Sequence, residues 1–390
     1  MSYFGTMMLE KKALLYLLVL PIVLGCTSIE DRSASQISET LSPLSEQNLR
    51  LWDEDEHESY DIFNEIEVML SRKGDDEEIY HLALSGGGVN GAFSAGLLNA
   101  WTQRGDRPEF DIVTGVSTGA IVAIYAFLGS DYDQELKHYY TDTPIDSLFK
   151  KNSFVTALFK GAFIDTSGFE YQVRSAIDKE LVERLAMERE KGRILLIGTT
   201  NLDNEKLAIW DIGRIAQIST DKSLALIQDI VIASAAIPGA FPAKTINITL
   251  DNESYDELHV DGGVSRQVFL IPRSVRSKLL QTDRKQNIFV IRNGKMEPEY
   301  HPTRNSLADI SSRSISIILR HQGVGDIEYI YHYAKENNMD YKLAHVGNDY
   351  EWQNESIYSK DYMIKLYQYG VGKMLKNEVW MNEPPSLRHN

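Results

Sequence analysis

Residues 82–93 have the sequence LALSGGGVNGAF, which begins as an apolar strand and passes through three consecutive glycines into a helical pattern. Glycine has no Cβ, so this stretch lets a neighbouring group approach the backbone closely. Three kinds of neighbour fit bare backbone between a strand and a helix: a phosphate, a dinucleotide, or the oxygen of a reacting carbonyl. The choice among them depends on what else the chain supplies.

Segments with strand-like and helix-like patterns alternate along the chain from residue 79. The predicted strands are 79–84, 110–114, 193–198, 207–212, 245–250, 257–260 and 287–291. The predicted helices are 60–73, 91–103, 117–128, 166–190, 222–236, 303–320, 326–337 and 360–376. Apolar strands separated by amphipathic helices predict an α/β fold, in which helices cover both faces of a mainly parallel central sheet.

The composition excludes some classes of partner. The chain has 390 residues and a formal charge of −16, from 56 acidic and 40 basic side chains. Nucleic acids are held mainly by Lys and Arg on phosphates, so this charge disfavours a nucleic-acid partner. The single cysteine, Cys26, excludes an intramolecular disulfide.

Residues 1–25 have the features of a lipoprotein signal peptide. A short apolar run at 13–24 follows two lysines, and Val23-Leu24-Gly25-Cys26 resembles the lipobox of bacterial lipoproteins. The resemblance implies a Gram-negative cell in which Cys26 is lipidated and becomes the mature N-terminus. Because Thr27 follows, where Asp would favour inner-membrane retention, we expect a periplasm-facing lipoprotein of the outer membrane. An uncleaved anchor, or a buried helix with an incidental cysteine, is the alternative.

Residues 26–58 are polar, Ser-rich and acidic, which predicts a flexible tether ahead of a domain at 59–390. The acidic run 53–56 lacks the ligand spacing and the turn glycine of an EF-hand loop, so we interpret it as solvated linker. The core motifs of the domain lie within 79–265.

A second glycine motif marks a candidate nucleophile. Gly115-Val116-Ser117-Thr118-Gly119 lies between the apolar stretch 110–114 and a helical pattern. G-x-S-x-G between strand and helix is the nucleophile elbow, a strained turn that holds a serine hydroxyl at a helix N-terminus. Ser117 is therefore the candidate nucleophile.

Residues 86–91 also satisfy the dinucleotide pattern G-x-G-x-x-G. That interpretation requires an acidic residue at the end of the next strand, whereas Glu109 and Asp111 precede the apolar core of that strand. A phosphate-binding P-loop would require Lys followed by Ser or Thr. An oxyanion hole explains why the glycine loop lies one crossover before the elbow, since adjacent parallel strands deliver both loops to one sheet edge. A purely structural turn is the remaining alternative.

A serine nucleophile requires a base, and two kinds are available. A conventional triad would use a downstream histidine, for which His259, His321, His332 and His345 are the candidates. The sequence His259-Val260-Asp261-Gly262-Gly263 instead ends a short strand in a carboxylate that could accept the serine proton directly.

Four motifs in order resemble the patatin-like phospholipase family: SGGGVNGAFSAG, GVSTGA, ASAAIPGAFP and DGG. The resemblance implies a patatin/cytosolic-phospholipase-like three-layer α/β/α fold and a Ser–Asp dyad without a catalytic histidine, metal or cofactor. It assigns Ser117 as nucleophile and Asp261 as general base. It places the oxyanion hole on Gly86, Gly87, Gly88 and Val89. It assigns supporting roles to Gly91, Gly115, Gly119, Gly262 and Gly263. We interpret Ser234 as structural, because the small residues around it let a helix pack close to the elbow and Pro238 ends that helix.

The resemblance further implies a serine acyl hydrolase that acts on membrane lipid or another fatty-acyl ester. The family usually carries Arg or Lys in the glycine loop where this chain has Asn90. Two alternatives follow: a catalytically weakened, lipid-anchored scaffold of the same fold, or a conventional Ser-His-Asp esterase. A nucleotide-binding domain is a third.

Overall fold

The computed structural model describes residues 32–34, 43–45, 49–53, 62–74, 76–142, 148–151, 164–250, 253–271, 282–300, 302–352 and 357–388. The predicted signal peptide at 1–25, the lipidation site Cys26 and most of the predicted tether at 26–58 lie outside these residues.

A nine-stranded mixed sheet forms the centre of the molecule. Its strands are β1 (Arg50–Trp52), β2 (Ile79–Leu84), β3 (Ile112–Val116), β4 (Ile194–Asn201), β5 (Lys206–Asp211), β6 (Lys244–Leu250), β7 (Glu253–Asp261), β8 (Gln286–Arg292) and β9 (Asp340–His345). Their order is β1-β5-β4-β3-β2-β8-β9, and β7 pairs with both β4 and β6. The five spatially adjacent strands β4-β3-β2-β8-β9 are parallel to one another, and the other pairings are antiparallel. The predicted mainly parallel central sheet is confirmed.

Helices cover both faces of the sheet. They are α1 (Ile62–Ser71), α2 (Gly91–Arg104), α3 (Thr118–Leu128), α4 (Asp133–Thr141), α5 (Ser167–Ala176), α6 (Lys179–Glu190), α7 (Ile212–Gln217), α8 (Asp221–Ser234), α9 (Leu307–Glu336) and α10 (Lys360–Leu375). Along β2, Leu82 and Leu84 belong to the apolar core under α2, α3, α8 and α10, whereas Ile79 and Ala83 belong to the core under α1 and α9. Side chains of a strand alternate between its two faces, so this division gives the predicted three-layer α/β/α arrangement.

Some predicted boundaries differ from the structure. The helix predicted at 166–190 is two helices, because Asp178 accepts a hydrogen bond from the Leu181 amide and begins α6. The helices predicted at 303–320 and 326–337 are one continuous helix, α9, which runs through Gly323 and Gly325. Glycine is a weak helix former, but tertiary packing overrides such preferences. The pattern also missed β9, α4 and α7.

The flexible-tether prediction for 26–58 is wrong at its C-terminal part. Residues 50–52 form β1, which pairs with β5 and is buried along its whole length. Arg50 forms a buried ion pair with Glu257 of β7. The polar composition suggested a solvated linker. Leu51 and Trp52 are instead both buried, on alternate faces of the strand, and they complete the edge of the sheet.

Candidate active site

Ser117 lies alone between the end of β3 and the start of α3, in a strained turn. Its φ of 56° is in the left-handed region, which a non-glycine residue adopts at a cost of about 1–3 kcal/mol. The turn also requires the flanking glycines, because a Cβ at Gly119 would collide with the carbonyl oxygens of Leu84 and Ser85 in the neighbouring β2 chain. The sharp strand–serine–helix turn predicted from the motif is therefore present.

Ser234 at the end of α8 fastens the backbone of this turn. The Ser117 amide donates to Ser234 Oγ at 2.9 Å, and Ser234 Oγ donates to the Gly198 carbonyl at 2.7 Å. Ser234 is fully buried. The structural role predicted for Ser234 thus has a specific form, since this hydroxyl links the serine turn to β4.

Asp261 ends β7 and directs its carboxylate at Ser117. The Ser117 hydroxyl lies beside this carboxylate and lowers its pKa. The Gly263 amide also donates to Asp261 Oδ1 at 2.7 Å, and the Asp261 amide donates to the Ala236 carbonyl at 2.9 Å. Burial disfavours the ionised carboxylate and outweighs the effects of the Ser117 hydroxyl and the Gly263 amide, so the pKa of Asp261 is raised from 3.8 to about 6.

The glycine loop after β2 lies beside Ser117. A Cβ placed on Gly86 would be 3.2 Å from Ser117 Cβ, so the loop and the serine turn are in direct contact. The Gly86 amide donates to the Gln267 carbonyl at 3.0 Å and is therefore not free, which corrects its assignment as an oxyanion donor. Within the described chain, the amides of Gly87 and Gly88 have no acceptor, and Val89 is the middle residue of the 3-10 turn Gly88–Asn90.

The glycine loop is fastened to the strand end that follows β8. Asn293 donates from its amide to Ser85 Oγ at 2.9 Å and from Nδ2 to the Ser85 carbonyl at 2.8 Å. A Cβ on Gly87 would collide with the Asn293 carbonyl oxygen, so only glycine fits there. Asn90 accepts from the Tyr362 hydroxyl of α10 at 2.7 Å. The loop is thus held by neutral groups at Asn90.

The four candidate histidines have other contacts. His259 is fully buried, with Nε2 at 3.0 Å from Glu257 and Nδ1 at 2.9 Å from Thr199 Oγ1. His321 Nε2 accepts from Arg320, and His345 Nδ1 lies 2.9 Å from the Val346 carbonyl. His332 packs against Tyr331. None of these described contacts reaches Ser117.

The remaining predicted glycines lie at points of close approach. A Cβ would meet Thr118 at Gly91, the Gly119 carbonyl at Gly115, the Gly198 carbonyl at Gly262 and Gln267 at Gly263. Among the described residues, no group of three or more His, Cys, Asp or Glu side chains is arranged to hold a metal ion. Within the same part of the chain, none of the helices combines the length and apolar character needed to cross a bilayer.

Sequence reasoning missed three residues around the glycine loop: Gln267, Arg292 and Asn293. Gln267 Nε2 donates to the Gly263 carbonyl at 3.1 Å, and the backbone carbonyl of Gln267 accepts the hydrogen bond of the Gly86 amide. Arg292 and Asn293 follow the predicted strand 287–291 directly. Since parallel strands end at one sheet edge, polar residues after that strand were the available signal.

The mainly parallel sheet and the strand–serine–helix turn have the arrangement of an α/β protein with a nucleophile-elbow motif. Residues 82–272 match the family model described as patatin-like phospholipase. This segment is therefore a patatin-like phospholipase domain, as the four motifs predicted.

Among curated proteins, the chain is 27% identical over 213 residues to Patatin-like protein 2 of Oryza sativa subsp. indica. The same holds for the protein of that name from subsp. japonica. The match covers 47% of this chain and 49% of the relative, so the chain spans about half the length of the curated relatives it matches.

Two solved structures are similar at low identity. The crystal structure of VipD from Legionella pneumophila gives a TM-score of 0.38 at 13% identity, over 79% of this chain and 68% of that chain. The crystal structure of the type III effector protein ExoU gives a TM-score of 0.21 at 13% identity, over 78% of this chain and 54% of that chain.

Proposed function

We propose that the protein is a lipid acyl hydrolase in which Ser117 is the nucleophile and Asp261 is the general base. The observation that carries this proposal is the contact of a strained serine hydroxyl with a buried carboxylate whose pKa is raised to about 6. A carboxylate with such a pKa is ionised at neutral pH and is still a better proton acceptor than an exposed Asp. The patatin-like match over 82–272 supports fatty-acyl esters as the substrate class.

In the proposed acylation step, Ser117 Oγ attacks the ester carbonyl while its proton passes to Asp261. The tetrahedral intermediate collapses when Asp261 returns the proton to the leaving alcohol, which leaves the acyl group on Ser117. In the second step Asp261 takes a proton from water, and the resulting hydroxide attacks the acyl-enzyme. Collapse with return of the proton to Ser117 Oγ releases the fatty acid.

The proposed oxyanion donors are the amides of Gly87 and Gly88. Their freedom from other acceptors and the contact between Gly86 and Ser117 support this role. A donor of this kind contributes about 3 kcal/mol to transition-state stabilisation. The Gly86 amide is excluded from the proposal because Gln267 accepts its hydrogen bond.

The first test compares Ser117→Ala with wild type in hydrolysis of phospholipid vesicles and of a soluble fatty-acyl ester. We expect ester hydrolysis to fall to the background rate, a loss of roughly four orders of magnitude, because the variant lacks the nucleophile. Labelling by a fluorophosphonate probe should disappear with it. Ser130→Ala, which alters an exposed serine at a helix start, is the control and should keep both signals.

The choice of base has a separate test. We expect Asp261→Asn to lose hydrolysis and His259→Gln to keep it, since His259 contacts Glu257 and Thr199. The opposite result would favour the conventional esterase. A wild-type protein that neither hydrolyses the esters nor reacts with the probe would favour the non-enzymatic scaffold.

We also propose that Cys26 anchors the protein to the periplasmic face of the outer membrane. The Val23–Cys26 motif after a short apolar run supports this localisation, and an anchored domain would meet phospholipid directly. Labelling of cells with radioactive palmitate, followed by membrane fractionation, should mark wild type and leave Cys26→Ser unlabelled.

A further inference from the structure

Arg292 is a buried guanidinium at the end of β8. It is 7% exposed, and it forms no ion pair with a carboxylate of the described residues. The nearby Asp326 pairs with Arg266 instead, at 3.1 Å. Burial lowers the pKa of Arg292 from 12.5 to about 10, so the side chain is charged at neutral pH. An uncompensated buried charge is costly, so the bonds it makes require an explanation.

The hydrogen bonds of Arg292 converge on the glycine loop. Its Nη1 donates to Gln267 Oε1 at 3.0 Å, to the Gly86 carbonyl at 3.2 Å and to Ser85 Oγ at 3.3 Å. The guanidinium also packs against α9, where a Cβ on Gly323 would lie 3.1 Å from Arg292 Cζ. The side chain is therefore enclosed, and its charge acts on the loop.

The Gly86 carbonyl and the Gly87 amide belong to the same peptide group. A cation on the carbonyl oxygen draws electrons from the peptide nitrogen and makes its N–H a stronger donor. The Ser85 hydroxyl donates to the same carbonyl at 2.7 Å and adds to this effect. The far side of the peptide then presents the Gly87 N–H, which has no acceptor within the described chain.

We propose that Arg292 is a positioning residue that fixes the Gly86–Gly87 peptide and strengthens the Gly87 amide as an oxyanion donor. The inference rests on the proposed function, because it assumes that an oxyanion forms beside Ser117. The charge reaches the loop from β8, whereas the loop residue Asn90 is neutral and is bound by Tyr362. Arg292 does not contact the reacting atoms, so its effect passes through the peptide.

The experiment compares Arg292→Gln and Arg292→Lys with wild type in hydrolysis of a soluble fatty-acyl ester. Loss of the charge should lower kcat about 10- to 100-fold, because one oxyanion donor is weakened but not removed. KM should change by less than about threefold, since the bond to the oxyanion strengthens only in the transition state. Arg292→Lys keeps a cation and should recover kcat to within about fivefold of wild type.

Arg189→Gln is the matched control. Arg189 is also a buried arginine, but it pairs with Glu65 and Asp211 at the far side of the sheet. Melting temperatures of all variants are measured, and rates are compared at a temperature where each is folded. If Arg292→Gln does not fold, Arg292→Met replaces it, because Met has similar bulk and no polar group to satisfy.

An unchanged kcat in the neutral Arg292 variants would overturn the inference, as would a loss confined to KM. The inference would also be overturned if Arg189→Gln lost as much kcat as the neutral Arg292 variant does, or if Arg292→Lys did. Failure of the proposed function gives a different result, since wild type would then hydrolyse the ester no faster than Ser117→Ala.

Discussion

At the residue scale, the site depends on opposing influences on the pKa of Asp261. Burial raises the pKa of Asp261 from 3.8 to about 6, while the neighbouring Ser117 hydroxyl and Gly263 amide lower it. The backbone of Ser117 is also in an unfavourable state, because its φ is strained and is held in place by a hydrogen bond to the Ser234 hydroxyl. Strain and desolvation of this kind persist only where the surroundings over-determine the geometry.

The pH dependence of hydrolysis should reflect the Asp261 carboxylate. In the proposed mechanism only ionised Asp261 accepts a proton, so kcat/KM should fall tenfold per pH unit as pH decreases below about 6. An exposed Asp would place this acid limb near 4. The measurement is a pH–rate profile with a soluble ester, and a flat profile between pH 7 and 4.5 would remove Asp261 as the base.

The raised pKa of Asp261 also affects the stability of the fold. The ionised form that hydrolysis requires is the form that destabilises the folded state. Because the folded pKa of about 6 lies above 3.8, the folded state binds the proton more tightly than the unfolded state does. Ionised Asp261 therefore destabilises the fold at neutral pH by about 3 kcal/mol, and this cost vanishes as pH falls from about 6 to 3.8. Asp261→Asn should accordingly raise the free energy of urea unfolding at pH 7.5 while hydrolysis is lost. A less stable, inactive variant would instead indicate that the carboxylate is structural.

At the element scale, α2 and α10 cross at glycines. A Cβ on Gly96 of α2 would collide with the Tyr367 carbonyl of α10, and one on Gly370 would lie 2.5 Å from the Phe93 carbonyl of α2. The two backbones are thus in near contact. This crossing matters for the site because α2 follows the glycine loop and α10 supplies Tyr362, which donates to Asn90.

Two glycines of α10 should respond to alanine in opposite directions. Gly370→Ala should lower the free energy of unfolding by about 1–3 kcal/mol, because the helices must separate. Gly372→Ala, two residues away in open space, should raise it by about 0.5–1 kcal/mol through helix propensity. Urea unfolding of both variants provides the measurement. Equal effects would show that α2 and α10 do not pack closely in solution.

At the scale of the whole molecule, β1 ties an early segment of the chain to the strand that carries Asp261. Arg50 bonds Glu257 of β7 through two contacts, one of them 2.8 Å between Nη2 and Oε1, and Glu257 also bonds His259. The guanidinium lies over Trp52 and Trp210 as well. Removing one partner of a buried pair leaves a buried charge uncompensated.

Arg50→Ala should therefore destabilise the protein by about 3–5 kcal/mol. Arg32→Ala is the control, because Arg32 pairs with Asp203 of the same region but its side chain is 29% exposed. An exposed pair of this kind contributes less than about 1 kcal/mol. Chemical denaturation measures both losses. If the two variants were equally stable, β1 would not be an integral strand.

How much the sequence predicted depends on the range of the interactions. The helix at Gly91–Arg104 and the strand at Ile79–Leu84 were predicted closely, because periodicity records the local alternation of core and solvent. The break at Asp178 was not predicted, because a helix cap interrupts an otherwise continuous helical pattern. The continuity of α9 was not predicted, because tertiary packing overrides the low helix propensity of its glycines. β1 was missed because its burial depends on β5 and β7, which lie far along the chain.

The sequence by itself determined the class of fold, the serine turn and the candidate carboxylate. The class of fold follows from the alternation of strand and helix patterns along the chain, and the serine turn and the carboxylate follow from motifs of a few residues. The tertiary structure decided which amides of the glycine loop are free, since Gln267 accepts the bond of Gly86 from a distant segment. It also decided that the loop meets the charge of Arg292, because β8 is paired beside β2 only after the sheet assembles.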